Sequence, residues 1–202
     1  MNLNEAEMDA LSELFNIGLH RAAASLSDLT GQRILVDLPR LWLSPITELK
    51  ERLAELVNDD LATVHQLFAG PVGGDAVLLL EYEKAVLLAT LMTDGDVASD
   101  GRLDQSAREV LAEVGNVVLS ACLSAFSNVL DVSVAFSVPR IHVESLDGLM
   151  RSVLGDRQEL RYGLIAATQF RLSELAVGGY LIVVLGVKSL TRISEALAAR
   201  EM

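Results

Sequence analysis

Glu13, Asn16, Pro39 and Arg40 recur as Glu113, Asn116, Pro139 and Arg140, an offset of 100 residues. Leu11, Leu19 and Ser27 recur in the same way as Leu111, Leu119 and Ser127. The polar members are the ones that could do chemistry. A carboxylate accepts hydrogen bonds and pairs with cations, whereas a carboxamide both donates and accepts. Kept together twice, the two make a candidate for a duplicated site. A period this long marks a duplicated half-domain rather than a solenoid unit, whose repeats are shorter.

The elements that must position these groups read as two long helices. Residues at i, i+4 and i+7 share one helix face. On the first helix that face carries Asp9, Glu13, Asn16 and His20, with Ser27 further along. On the second it carries Glu109, Glu113 and Asn116, followed by Ser120 and Ser124. The other positions are largely Leu, Val, Ala and Phe, suited to burial. Every amphipathic helix has a polar face, and most glutamates on one are solvated and inert. Asn weakens that bland reading, because it is a mediocre helix former where Glu, Lys or Gln would serve a surface better. Glu, Asn and Pro are each on the order of one residue in twenty, so their recurrence at the same offsets is not a chance match. Common descent accounts for it, yet drifting surface positions need not keep a polar pair.

Around these helices the chain punctuates itself clearly. Residues 4–30 read as a helix, with Asn4 and Glu7 spaced as a capping box and Gly31 as the stop. Residues 32–38 read as a strand ended by Pro39, and 45–58 as a helix with Pro45 at its first position. Ala62–Phe68 and Ala76–Tyr82 read as a hairpin around Gly70–Gly74, followed by a helix over Glu83–Met92. The polar stretch 94–102 reads as the joint between halves. The second half repeats the order: helix 104–130, strand 132–138 ended by Pro139, and a weaker helix 146–154. Strands 163–172 and 180–185 then flank a turn at Val177-Gly178-Gly179, and helix 189–200 closes the chain. Gly73-Gly74 and Gly178-Gly179 stand 105 apart, which assigns about five extra residues to the loop 155–161. This order predicts an α+β, α/β sandwich-like fold over a single domain, 1–202. Two pseudo-twofold-related halves, 1–100 and 101–202, share one continuous, mostly antiparallel sheet flanked by helices.

Composition removes several function classes. The chain of 202 residues is 51% hydrophobic, enough for a substantial core, and carries a net charge of −12. An acidic balance argues against nucleic-acid binding, which needs a basic footprint. The single cysteine, Cys122, excludes an intrachain disulfide and reads as a buried structural thiol. The N-terminus carries acids where a signal peptide carries positive charge, and no apolar run is read as a membrane span. A soluble, cytoplasmic protein is expected.

The pattern Asp/Ser-x3-Glu-x2-Asn-x22-Pro resembles the signature of the CheC/CheX/FliY phosphatases of chemotaxis. Asp9, Glu13, Asn16 and Pro39 match it fully; Glu113, Asn116 and Pro139 match it in the second copy, where Glu109 stands at the Asp/Ser position. The segments ELFNIGLHRAAASLSDLTG and EVGNVVLSACLSAFSNVL resemble the family as well, and the likeness extends over essentially the whole chain. It implies a CheC-like hydrolase that dephosphorylates a CheY-type response regulator, whose aspartyl phosphate is held beside Mg²⁺ in that partner. Asn16 and Asn116 are then implied to aim a water at phosphorus. Glu13 and Glu113 would pair with a lysine near the partner's phosphorylated Asp, and Asp9 and Glu109 would form the site edges. The metal and the electrophile would arrive with the substrate. Leu19, His20 and Arg21, where the family usually has small residues, would crowd or tune the first surface.

The alternative is a non-catalytic adaptor that binds a receiver domain, a CheD-type receptor deamidase or the flagellar switch. The full FliY layout is disfavoured by the lack of a long extra C-terminal region. A CheX-like dimer is disfavoured because this chain already holds both halves. His20, His65 and His142 are scattered, so no bound metal is expected. The serines lack a His/Asp set for nucleophilic chemistry, and no glycine-rich loop has the form of a phosphate cradle.

Overall fold

A computed structural model of the chain describes residues 3–58, 60–93, 95, 101–155, 160–172 and 175–199. The first helix, α1 (Glu5–Thr30), starts at the predicted capping box. The Glu7 amide donates to Asn4 Oδ1 at 2.8 Å, and the Asn4 amide donates to Glu7 Oε2 at 2.7 Å. It stops at Gly31, whose φ of 69° is the left-handed conformation that glycine adopts without penalty. Its counterpart α4 (Gln105–Leu130) is capped by Asp104 and ends at Asp131.

Between and after these helices run β1 (Ile34–Val36), β2 (Arg40–Pro45), α2 (Leu49–Ala54), β3 (Leu61–Ala69), β4 (Gly74–Glu81) and α3 (Tyr82–Met92). The second half adds β5 (Ala135–Phe136), β6 (Arg140–Glu144), α5 (Leu146–Leu154), β7 (Leu160–Leu172), β8 (Leu175–Gly186) and α6 (Val187–Ala198). Among the described residues eight strands form one antiparallel sheet in the order β1-β7-β8-β4-β3-β5, with β2 also on β7 and β6 also on β3. The short strands are thus exchanged: those after α1 pair with the second half's hairpin, and those after α4 with the first half's. One apolar layer joins α1, α3, α4 and α6 to one face of the sheet. A smaller one joins α2 and α5 to the other. The α+β class and the shared antiparallel sheet are as expected.

Four details differ from expectation. β1 and β5 end short of Pro39 and Pro139, but pairing with the same neighbouring strands resumes immediately after the prolines as β2 and β6. Pro45 accordingly closes a strand instead of opening a helix, and α2 begins only at Leu49. Proline lacks an N–H and interrupts a ladder locally without ending it. Val177, Gly178 and Gly179 lie inside β8, opposite Phe170, Gln169 and Thr168, and make no turn. A Cβ at Gly179 would fall 2.6 Å from Leu80 Cδ2, so the Leu80 side chain lies closely over this glycine. Arg140 pairs with His65 and Arg40 with Ala167, so β3 and β7 correspond at an offset of 102 rather than 105. Most of the joint 94–102 and of the loop 155–161 lies outside the described residues.

Gln105–Asn128 is, by length and composition, apolar enough to cross a membrane, contrary to the sequence reading. Its apolar side is occupied within the fold. Gly18 of α1 packs so closely on α4 that an added Cβ would meet Cys122 Cα at 2.6 Å, and Phe15 meets Phe126 edge-on at 5.1 Å.

Candidate functional site

The repeated residues sort by environment. Leu11, Leu19, Leu111 and Leu119 are fully buried. Ser27 and Ser127 tie each helix end to the chain beyond it: the Ile34 amide donates to Ser27 Oγ at 2.9 Å, and Ser127 Oγ donates to the Val132 carbonyl. Glu13 and Glu113 are exposed, while Asn16 and Asn116 are half-buried. Burial classes over 11–19 and 111–119 match position by position. The duplicated polar pair therefore faces outward at the same place on both helices, which helix amphipathicity at a 3.6 period produces when Leu, Phe and Val take the inner positions.

The repeated prolines shape the rim. From Val36↔Phe170 to Arg40↔Ala167 the first-half strand uses one residue more than its partner. From Phe136↔Phe68 to Arg140↔His65 the second half does the same. Each proline thus sits in a one-residue bulge, a device that bends a strand and re-aims its groups. The carbonyls at the bulges bond to side chains from the neighbouring strand. Thr168 Oγ1 donates to the Asp37 carbonyl at 3.0 Å, and Gln66 Nε2 to the Ser137 carbonyl at 3.2 Å. Leu38 and Val138, just before the prolines, stand 71% and 81% exposed, so each rim carries an exposed apolar side chain.

On α4 these parts converge. An open cleft of about 620 Å³ is lined by Glu109, Glu113, Asn116 and Pro139, together with Gln66, Ser120, Phe136, Ser137 and Val138. Every signature position of the second copy borders this one cleft. Asn116 Oδ1 accepts from Gln66 Nε2 at 3.1 Å, with the Ser120 hydroxyl 3.4 Å away. Gln105 Nε2 donates to Glu109 Oε1 at 3.1 Å. On α1, Asp9, Glu13 and Asn16 share one face with Asp9 and Glu13 exposed, and Pro39 is buried. The Asn16 side chain makes no hydrogen bond among the described residues. His20 is exposed one turn beyond it.

Sequence reasoning passed over Gln66. The signal was its alternation with Ala62 and Val64: a polar residue on the helix-facing side of a strand otherwise apolar on that side. Gly115 was also missed. A Cβ there would sit 2.5 Å from Val64 Cγ1, so glycine lets α4 lie directly on β3 beside Asn116; the matching position in α1 is Phe15. A second polar cluster lies across the sheet. His65 Nε2 is 3.3 Å from Glu144 Oε1, which also accepts from Thr63 Oγ1 at 2.7 Å, and His65 Nδ1 is 3.7 Å from Asp75 Oδ2. Among the described residues no group of three His, Cys, Asp or Glu side chains could hold a metal ion.

No protein-family model matches the chain. Among curated proteins it is 23% identical over 143 residues to the flagellar motor switch phosphatase FliY of Bacillus subtilis, covering 70% of this chain and 37% of that protein. It is 24% identical over 136 residues to the putative CheY-P phosphatase CheC1 of Halobacterium salinarum, covering 66% of this chain and 67% of that one. The chain therefore spans little more than a third of the FliY relative. Among solved structures, Thermotoga maritima FliY superposes with a TM-score of 0.78 at 18% identity, covering 99% of this chain and 100% of that chain. FliM in the FliM–SpeE complex of H. pylori superposes at 0.71 with 10% identity, covering 100% and 99%. CheX in the CheX–CheY–BeF3–Mg complex of Borrelia burgdorferi superposes at 0.51 with 16% identity, covering 85% and 97%. In sequence and fold the chain resembles the CheC/CheX/FliY chemotaxis proteins.

Proposed function

We propose that this protein is a phosphatase acting on the aspartyl phosphate of a CheY-type receiver domain. One observation carries the reading: Glu109, Glu113, Asn116 and Pro139 border a single open cleft, on a helix face that α1 duplicates. The names of the FliY and CheC1 relatives support the reaction class. The CheX–CheY complex supports the class of partner.

In this reading the receiver brings the acyl phosphate and its Mg²⁺. Glu13 or Glu113, exposed at the entrance, pairs with a cationic side chain on the receiver and sets its orientation. Asp9 and Glu109 extend that acidic edge. Asn16 or Asn116 holds a water in line with the phosphorus. Water attacks, the bond from phosphorus to the aspartyl oxygen breaks, and the aspartate leaves as carboxylate. A neutral carboxamide suffices because phosphoryl transfer through a loose transition state asks for positioning more than for base strength.

The test is phosphate release from a phosphorylated CheY-type receiver in Mg²⁺, with and without the protein. Acceleration supports the reading. Tight binding without acceleration would overturn it in favour of an adaptor that binds a receiver, a CheD-type deamidase or the flagellar switch. The FliM-like neighbours are the specific observation on that side.

A further inference from the structure

The two duplicated faces differ beneath their asparagines. Gln66 is 1% exposed and lies under α4 with all its polar atoms engaged. Its Nε2 donates to the Ser137 carbonyl at 3.2 Å and to Asn116 Oδ1 at 3.1 Å, and its Oε1 accepts from Ser120 Oγ at 3.4 Å. A backbone carbonyl only accepts, so it fixes which end of the Gln66 amide faces it. That in turn fixes the Asn116 amide, which must turn its oxygen to Gln66 and its Nδ2 hydrogens away. By the 102-residue offset, Gln66 on β3 of the first half corresponds to Thr168 on β7 of the second. Its hydroxyl makes the matching bond to the Asp37 carbonyl but has no second polar group to offer Asn16.

We propose that Gln66 is the positioning residue of the α4 site, holding Asn116 in one amide orientation, and that the two sites are therefore unequal in turnover. This rests on the role given to Asn116 above. Without the tether, Asn116 samples about two χ1 wells, the third being rare on a helix, and two amide orientations, or roughly four states. The tether selects one of them, so its removal lowers turnover at α4 by up to about fourfold. Gly115 supports the arrangement by letting α4 approach β3 closely enough for a side chain of Gln66's length to span the gap.

The experiment uses Gln66→Met, which keeps length and removes the donors. In the Asn16→Ala background, where only α4 turns over, kcat for a phosphorylated receiver should fall about two- to fourfold with KM unchanged. Unchanged kcat would overturn the proposal. So would a comparable fall in the Asn116→Ala background, because the substitution would then be acting on the sheet as a whole. NMR order parameters of the two asparagine side-chain amides give a readout independent of activity. Asn116 should be restrained and Asn16 mobile, and Gln66→Met should bring Asn116 to the level of Asn16. Equal mobility in the wild type would overturn the tether. A wild type without any hydrolysis would refute the phosphatase reading instead, and the side-chain amides would still decide the role of Gln66.

Discussion

Replacing Gly115 by alanine sets two effects of opposite sign against each other. Alanine is favoured over glycine in a helix interior by about 1 kcal/mol. Its Cβ, however, would lie 2.5, 2.7 and 3.0 Å from Cγ1, Cβ and Cγ2 of Val64, where carbon atoms normally approach to about 3.5–4.0 Å. Val64 is β-branched and its own Cβ is among the obstacles, so rotation about χ1 does not clear the clash. Either α4 or β3 must therefore move by on the order of 1 Å. Overpacking of this kind costs about 1–3 kcal/mol, which exceeds the propensity gain. Gly115→Ala is expected to be less stable than wild type by about 1 kcal/mol. The same displacement would stretch the 3.1 Å bond between Gln66 and Asn116 beyond hydrogen-bond range. Urea denaturation of Gly115→Ala, Val64→Ala and the double variant measures the coupling, expected to be favourable by at least about 1 kcal/mol because the new methyl occupies space that valine vacates. A more stable Gly115→Ala with no coupling to Val64 would refute the close-approach argument.

The packing and the titratable groups give three further expected outcomes. Gly18→Ala should cost about 2 kcal/mol net of the helix-propensity gain, because its Cβ meets Cys122 Cα at 2.6 Å and backbone cannot step aside; a fall in Tm by calorimetry checks it. Burial pushes the Cys122 thiol pKa far up, so the native protein should resist a thiol reagent at neutral pH and react only when unfolded in urea; rapid native reaction would contradict the α1–α4 seam. Burial first, and then the charge of Glu81, raise the Tyr180 pKa, while its hydroxyl donates to the Leu56 carbonyl at 3.0 Å. A raised folded-state value means that its stabilising contribution is complete below the unfolded value of about 10 and is lost as pH rises through the folded one. Denaturation between pH 9 and 11 should show wild type losing stability relative to Tyr180→Phe.

The parts that chemistry writes locally were legible in the sequence. Asn4, Glu7 and Gly31 bracket α1 because caps and a left-handed stop depend on a few adjacent residues. The carboxylates and carboxamides fall on one helix face because spacing alone decides that. Features that depend on a neighbouring strand were not legible. Pro39 and Pro139 read as strand ends, yet they mark bulges whose other side is supplied by β7 and β3. Gly178 and Gly179 read as a turn because glycine usually signals one, whereas both lie inside β8, with the Leu80 side chain closely over Gly179. Gln66 reads as one polar residue in a strand until α4 is laid over it. The apolar length of α4 suits a membrane as well as a core, and only its packing on α1 and the sheet shows that its apolar side is already used.

In the proposed mechanism the duplicated asparagines carry out the hydrolysis. Phosphate release from a phosphorylated CheY-type receiver in Mg²⁺ tests this, compared for wild type, Asn16→Ala, Asn116→Ala and the double variant. Each single variant should retain the activity of the remaining site. The double variant should lose at least about a hundredfold, the scale on which one preorganised group acts, and still bind the receiver through Glu13 and Glu113. A double variant that hydrolyses as fast as wild type would contradict the role given to both asparagines.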